Sequence, residues 1–333
     1  MQANFSLKNY NTFGVDAYAK QFISVTTAEE LIEALSLEKP FLILGGGSNV
    51  LFTNNTIESV IQINLKGIEV VEETTNKIIL KVAAGENWHQ FVMWCVEKNY
   101  GGLENLALIP GNVGACPIQN IGAYGVEVKD CIVGVDTLEI ATLKNQHFKN
   151  EECQFNYRDS IFKNHLKGKQ IITAVSFRLT KQNHLLNIDY GAIADELYKN
   201  NITTPTIKDI AETVIKIRES KLPNPAEIGN GGSFFKNPII SIEHFKTIQS
   251  NYPSIPSYPV SETLIKVPAG WLIEKAGLKG FRDGDAGVHK NQALVLVNYG
   301  NASGIEILNL AKHIQKSIKE IFQITLDIEV NII

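Results

Sequence analysis

A chain of 333 residues has room for two or three compact domains, and 44% hydrophobic with 20% charged residues is an ordinary balance for a globular protein. Lys and Arg number 31 against 35 Asp and Glu, a net charge of -4 with no long run of one sign, which excludes a nucleic-acid-binding profile. The N-terminal stretch has no apolar signal-like core, and no segment is apolar over the length of a bilayer, so a cytosolic protein without a membrane partner is expected.

Lys20 to Thr26 reads as a strand, and Thr27-Ala-Glu-Glu30 as a capping box that opens a short helix to about Leu37. Phe41 to Leu44 reads as a buried strand running straight into Gly45-Gly46-Gly47-Ser48-Asn49-Val50. Amides in such a turn can form an anion nest, although a plain tight turn has the same composition. No Gly-x-Gly-x-x-Gly follows a strand and no Gly-x-x-x-x-Gly-Lys-Ser/Thr occurs, so any nucleotide is bound without a Rossmann fingerprint. Strands follow at about Ser59 to Asn64 and Ile78 to Ala83. The next helix repeats Trp88, Phe91, Val92, Cys95 and Val96, which is the spacing of core packing.

Asn105 to Val126 carries no charged side chain, and its prolines, glycines and amides rule out a membrane helix. Within it, Ile109 to Gly125 combines glycines that allow close backbone approach with Ile109, Val113, Ile118 and Ile121. Taken alone it is equally an irregular core crossover or a ligand cradle. Cys95, Cys116, Cys131 and Cys153 lie 15 to 22 residues apart with no Cys-x-x-Cys, and His-Glu-x-x-His is missing, a pattern of reduced thiols with no metal site. Cys116 is either a nucleophile or a small buried thiol.

Alternating segments near 131 to 142 and 170 to 179 complete an α+β region ending around 200. Between them, Arg158 beside Asp159 is either a surface ion pair or a fork for a carboxylate or a flavin carbonyl. Asp189-Tyr190-Gly191 reads as a polar turn and Asn201 to Pro205 as a linker, which places a boundary near residue 203. A helix with Ile207, Ile210, Ala211, Val214 and Ile215 on one face follows, stopped by Pro223 and Pro225. Ser233 then stands between two glycines and two phenylalanines; by itself it is a turn residue, and no nucleophile elbow surrounds it. Trp271 to Gly277 reads as a helix, Ala293 to Asn298 as a strand, and Ser303-Gly-Ile-Glu306 as a capping box for a helix to about Phe322. In the last segment Leu326, Ile328, Val330 and Ile332 alternate with polar residues, so Glu329 faces away from the apolar side.

In order, Asn11-Thr-Phe-Gly14, Leu44 to Phe52, Ile109 to Gly125, Tyr157 to Ser160, Lys221-Leu-Pro223, Gly232 to Pro238, Ala269 to Ile273, Val288 to Val295 and Glu329-Val330 resemble the UDP-N-acetylenolpyruvoylglucosamine reductases, the MurB flavoenzymes. The likeness covers nearly the whole chain, and the segment around Tyr190 resembles the longer, type I form. It implies a PCMH/VAO-type FAD-binding domain of two α+β subdomains, residues 1–64 and 65–203, and a C-terminal α+β substrate domain over 204–324, with 325–333 returning to the flavin site. FAD would be held by Gly45, Gly46, Gly47, Ser48, Asn49 and Val50, by Pro110, Gly111, Asn112, Gly114, Ala115, Cys116, Gln119, Asn120, Gly122 and Ala123, and by Ile172 and Arg218.

The resemblance further implies NADPH as co-substrate and UDP-N-acetylglucosamine enolpyruvate as substrate, in a monomer. Tyr124, Tyr190, Lys221, Asn237, Tyr258, Lys266 and Gln292 would bind the substrate, and Arg158, Ser233 and Glu329 would be catalytic. Two departures stand out: Asn331 where relatives often have Arg, and Ala115-Cys116 where small hydroxyl residues are common. A flavin oxidase of the same superfamily explains the first 200 residues as well but gives no reason for Lys221, Ser233 and Glu329. A binding protein without chemistry gives no reason for Arg158, Ser233 and Glu329 together.

Overall fold

The first sheet runs in the order Gln2–Ser6, Tyr18–Val25, Thr56–Ile63, Leu42–Leu44, with the last two strands parallel. The computed structural model describes residues 1–37 and 40–333. Helix α1 (Ala28–Leu35) starts where the hydroxyl of Thr27 accepts from Glu30 N at 3.2 Å. The Glu30 carboxylate reaches one residue further back than a capping box requires, to the amide and hydroxyl of Thr26 at 2.7 and 2.9 Å.

By compactness the chain divides into one unit of residues 1–4, 20–46 and 58–220 and another of 5–19, 47–57 and 221–333. The first unit carries an antiparallel sheet in the order Asn145–Lys149, Ile132–Glu139, Gln170–Thr180, Lys77–Ala83, Ile68–Glu73. Helix α2 (Trp88–Glu97) is capped by Asn87 and packs Trp88 and Phe91 against Phe177 of the sheet, ring centroids 5.3 to 6.1 Å apart. Burial of each such ring stabilises the unit by roughly 1.5–3 kcal/mol. Helix α3 (Gly191–Lys199) is set by Ile193 and Leu197, one turn apart.

Helix α4 (Ile207–Lys221) packs Ile210, Ala211, Val214 and Ile217 into the same core as Val25, Leu80 and Trp88. The division therefore falls after Ser220 rather than near residue 203. The Asn201 to Pro205 stretch is a polar connection between two helices of one unit, not a domain linker. The segments over 1–64 and 65–203 likewise contribute to one hydrophobic core.

In the second unit, Gly229–Ser233, Val295–Asn298, Ala286–Val288 and Arg282–Asp283 form an antiparallel sheet. Ile239–Ser241, Leu264–Lys266 and Tyr258–Pro259 form another, and Asn331–Ile332 runs parallel to Val50–Leu51. Helices α5 (Ile242–Asn251), α6 (Ala269–Lys275) and α7 (Gly304–Phe322) complete it. The capping box of α7 is formed in full, with Ser303 N to Glu306 at 2.7 Å and Glu306 N to Ser303 at 3.3 Å. The alternation of the last segment is present in burial, but only Asn331–Ile332 makes a ladder, since Ile328 meets Phe235 through a single bridge. Among the described residues no helix is long and apolar enough to cross a membrane, and no group of three metal-ligating side chains is found.

The Asn11 to Gly14 segment is a fastening of the second unit. Asn11, 6% exposed, donates to Leu7 O and Val15 O at 2.8 and 2.9 Å and accepts from Val15 N at 3.0 Å. Thr12 N donates to Gly47 O, Asn230 N to Thr12 O, and Asn298 Nδ2 to Phe13 O. Asn11→Ala leaves those backbone groups unpaired, and a loss of about 2–4 kcal/mol is expected. The urea midpoint of the second unit's transition measures it, and a shift below about 0.5 kcal/mol would exclude this role.

Candidate active site

A buried irregular segment must find partners for its own backbone. Residues 109–125 do so along the start of α2: Trp88 N donates to Gly111 O, Val113 N to Glu86 O and Gly114 N to Ala84 O, at 2.9 to 3.0 Å. A Cβ on Gly114 would stand 2.6 Å from that of Ala84, and one on Gly46 2.9 Å from Asn112 Oδ1 and 3.1 Å from Gly111 Cα. The segment is thus both crossover and cradle. Val113, Cys116 and Asn120 point into the core, while Pro110, Ala115 and Ile118 are exposed and Gly111, Asn112, Gly114, Gln119, Gly122 and Ala123 half-buried. Burial pushes the Cys116 thiol well up, the opposite of an activated nucleophile, and Cys131 and Cys153 are pushed to about 12 for the same reason. Ile172 is buried in the central strand of the five-stranded sheet.

Backbone strain collects around this cradle. Leu108, Asn120, Tyr124 and Arg158 all have left-handed φ, between +43° and +59°, at a cost of roughly 1–2 kcal/mol each. Tyr124 and Gly125, with φ of +51° and +82°, turn Gly122–Ala123 back onto Val126–Glu127. The Tyr124 ring meets Tyr190 edge to face at 5.3 Å, and Asn105 Nδ2 donates to Tyr124 O at 3.4 Å and Asn187 O at 2.8 Å. Leu108 is held by His89, whose Nδ1 accepts from its amide at 3.0 Å.

Arg158 occupies the third position of the turn closed by Asn156 and Asp159, whose amides and carbonyls pair at 3.0 and 3.1 Å. Its guanidinium donates to the carbonyls of Asn120, at 3.3 Å, and Gly122. A Cβ on Gly122 would sit 2.9 Å from Arg158 Nη1, so the glycine there makes room for the guanidinium.

Arg218, on the last turn of α4, presents a different picture. Its Nε is sealed from solvent with no acceptor among the described residues, and burial holds its pKa down while the Tyr124 phenol opposes that only in part. A desolvated cation without a carboxylate is costly, and it suits an anionic or carbonyl-bearing group in the cradle. The first unit therefore fits a dinucleotide such as FAD: a desolvated cation whose Nε lacks an acceptor among the described residues, a glycine-lined floor and close-approach positions.

In the second unit, Gly47 has φ +64° and lies where a Cβ would fall 1.9 Å from Tyr10 O. Ser48, Asn49 and Val50 follow it, with Asn49 O accepting both the amide and the side chain of Asn331, at 3.2 and 2.9 Å. Asn331 therefore fastens this turn. Gly231 lies against the Phe13 ring and Ser48 O, and Gly232, at φ +71°, delivers Ser233 in an exposed position with no hydrogen bond to its hydroxyl among the described residues. Half-buried Glu329 lies alongside, its amide donating to Phe234 O at 2.9 Å. Ser233 and Glu329 are thus on adjacent segments.

The polar substrate candidates of this unit also gather. Tyr258 and Ile239 are the cross-strand partners of Lys266, and Lys266 Nζ lies 5.9 Å from the Tyr258 ring centre. Asn237 Oδ1 accepts from Ala269 N at 2.9 Å, and Gln292 Oε1 approaches Gly270 and accepts from Leu294 N at 3.3 Å. Both amides are anchored around the start of α6. Lys221 is exposed at the end of α4.

His89, Asn105 and Ser160 were not legible as site residues. Each acts by a hydrogen bond to backbone distant in sequence, which no spacing signals.

Residues 19–142 match the model of an FAD binding domain, and residues 224–333 that of the C-terminal domain of UDP-N-acetylenolpyruvoylglucosamine reductase. The chain is 56% identical to the UDP-N-acetylenolpyruvoylglucosamine reductase of Flavobacterium johnsoniae, over 100% of this chain and 99% of that protein. It is 46% identical to the reductase of Pseudomonas syringae pv. tomato, over 100% and 98%. The crystal structure of the Thermus caldophilus reductase superposes with a TM-score of 0.70 at 25% identity, covering 98% of this chain and 96% of that one.

Burial, and then the nearby Arg218 charge, hold His89 below its usual pKa, with Glu219 opposing. The unfolded imidazole protonates near 6.5 and the folded one at a lower pH, so stability from neutral His89 is complete above about 6.5 and is lost as pH falls through the folded value. His289, buried beside Lys290, contributes in the same direction. The melting temperature should fall between about pH 7 and 5. The fall should be shallower in His89→Gln, whose amide oxygen can accept from Leu108 without titrating, and equal slopes would remove His89 as a source.

Proposed function

The chain belongs to the UDP-N-acetylenolpyruvoylglucosamine reductase family, and on that premise we propose a division of labour among its residues. The protein is an FAD-dependent oxidoreductase of peptidoglycan precursor synthesis, reducing UDP-N-acetylglucosamine enolpyruvate to UDP-N-acetylmuramate at the expense of NADPH. The single observation that carries this reading is the match of residues 224–333 to the reductases' own C-terminal domain, because an FAD domain alone suits an oxidase equally.

Bound FAD would supply the hydride chemistry, between NADPH and the enolpyruvyl methylene carbon. In the first unit, Gly45, Gly46, the cradle from Pro110 to Ala123, Ile172 and Arg218 would hold it; in the second, Gly47 to Val50 would do so. Arg218 supports this assignment best, since its buried Nε has no acceptor among the described residues. Lys221, Asn237, Tyr258, Lys266 and Gln292 would bind the nucleotide diphosphate, where two lysines offset phosphate charge. Tyr190, carried on the N-cap of α3 against Tyr124, would close over its nucleotide end.

Hydride addition leaves negative charge on the neighbouring carbon and on the substrate carboxylate. The Arg158 guanidinium pairs with that carboxylate, and its anchoring by carbonyls fixes the direction of the fork. Glu329, protonated or hydrogen-bonded, stabilises the same charge. The Ser233 hydroxyl gives its proton to the carbon, completing the lactyl ether. The working unit is a single chain acting on small molecules in the cytoplasm.

The purified protein should be yellow, bleach with NADPH and recover colour on anaerobic addition of the enolpyruvyl nucleotide. Ser233→Ala should retain flavin and bleaching but lose substrate turnover by orders of magnitude. Near-normal lactyl ether formation would refute the proton-donor role. Arg218→Met removes a charge-assisted contact of about 1.5–3 kcal/mol, so flavin retention should weaken about tenfold or more, read as absorbance per protein after gel filtration.

A further inference from the structure

The turn that carries Arg158 has the φ pattern in which the third residue is ordinarily glycine or asparagine, yet an arginine stands there at φ +53°. Something outside the turn must hold it. The fully buried Asn120 supplies most of that hold. Its Nδ2 donates to Asn156 O, the first carbonyl of the turn, at 3.0 Å, and to Glu127 Oε2 at 3.1 Å; its Oδ1 accepts from Lys129 N at 3.1 Å. The Glu127 carboxylate is itself fixed by Lys129 Nζ at 2.6 Å. The same residue offers its backbone carbonyl to the Arg158 guanidinium. Immediately beyond the turn, the buried hydroxyl of Ser160 donates to Ile118 O at 2.6 Å. Both ends of the turn are therefore pinned to residues 118–122, and the guanidinium rests on the carbonyls of that same stretch.

We propose that Asn120 and Ser160 are positioning residues for Arg158, aligning its guanidinium for the substrate carboxylate, and that the Asn120 side chain serves this purpose rather than contacting the cofactor. The inference rests on the reading of Arg158 as the group that pairs with the developing charge. Three hydrogen bonds engage the Asn120 amide inside the first unit, including both hydrogens of its NH2 group, so its chemistry is directed at protein backbone and at Glu127. Lys163, whose Nζ donates to Arg158 O at 3.1 Å, adds a third fastening from the segment after the turn.

The test is a double-mutant cycle on the flavin-loaded enzyme, with rates expressed per bound flavin. In Asn120→Asp a carboxylate oxygen replaces the donor that faces Asn156 O and Glu127, which turns two attractions into repulsions. Ser160→Ala removes a single hydroxyl and carries the test if the first variant does not fold. NADPH-reduced enzyme is mixed anaerobically with the enolpyruvyl nucleotide, and the limiting reoxidation rate at saturating substrate is measured. We expect a loss of about tenfold or more for Asn120→Asp and several-fold for Ser160→Ala, in the limiting rate rather than in substrate affinity. In an Arg158→Gln background either change should cost less than about twofold more, because the group being aligned is gone. Losses that persist in full in that background, or a wild-type rate in both single variants, would overturn the inference. If Arg158→Gln alone leaves reoxidation unchanged, the role of Arg158 fails; if it slows reoxidation while the positioning variants do not, the positioning role alone fails.

Discussion

The first unit depends on one constraint: a chain segment without charge, broken by prolines and glycines, has to bury one edge and satisfy its backbone while leaving the other edge open. The amides of Trp88, Val113 and Gly114 and the carbonyls of Ala84, Glu86 and Gly111 meet this demand in a short stitched contact at the start of α2. The contact leaves no space for a Cβ at residue 114. Sequence composition here follows from packing: Gly114 is needed because Ala84 is already there, and Asn87 both caps α2 and bridges to Asn112. A loop held this way is rigid without being regular, which is what a cofactor floor requires of a backbone that must offer fixed donors.

Legibility followed side-chain periodicity. Lys77–Ala83, Gln170–Thr180 and α2 alternate or repeat strongly, and all were readable. Ile68–Glu73 and Asn145–Lys149 were not, because they are the two edge strands of their sheet and carry exposed, largely polar side chains. Helix α3 was hidden for a related reason: it buries only Ile193 and Leu197, begins at a glycine, and has an N-cap tyrosine that makes no capping bond. Near residue 203 a polar Asn-Pro stretch signals a connection without saying whether the next helix joins a new core or the old one. The apolar face of α4 joins the old one.

At the site the legible part was the set of residues that face solvent or a glycine-broken backbone, and the illegible part was what holds them. Ser233 stood out by its glycines and phenylalanines, and Glu329 by its place in an alternating segment. Their nearness required the bonds from Glu329 N to Phe234 O and from Lys236 N to Asp327 O, which join stretches about ninety residues apart in sequence. Asn331 shows the same limit from the other side. The family resemblance marks it only as a departure, whereas its bonds to Asn49 O make it a fastening of the glycine-rich turn.

The distribution of cost within the first unit argues for what it does. Left-handed Leu108, Asn120, Tyr124 and Arg158 surround one cradle, and each is held by a partner: His89 for Leu108, the 156–159 turn for Asn120, Asn105 for Tyr124, and two carbonyls for Arg158. Four penalties of roughly 1–2 kcal/mol are comparable with the stability of a whole domain. Arg218 adds a desolvated cation at the same place. The strain is met by those partners, whereas the Arg218 Nε has no acceptor among the described residues, and a group from outside the chain can supply one. A ligand that supplies that acceptor gains the interaction without reordering a backbone the fold already holds.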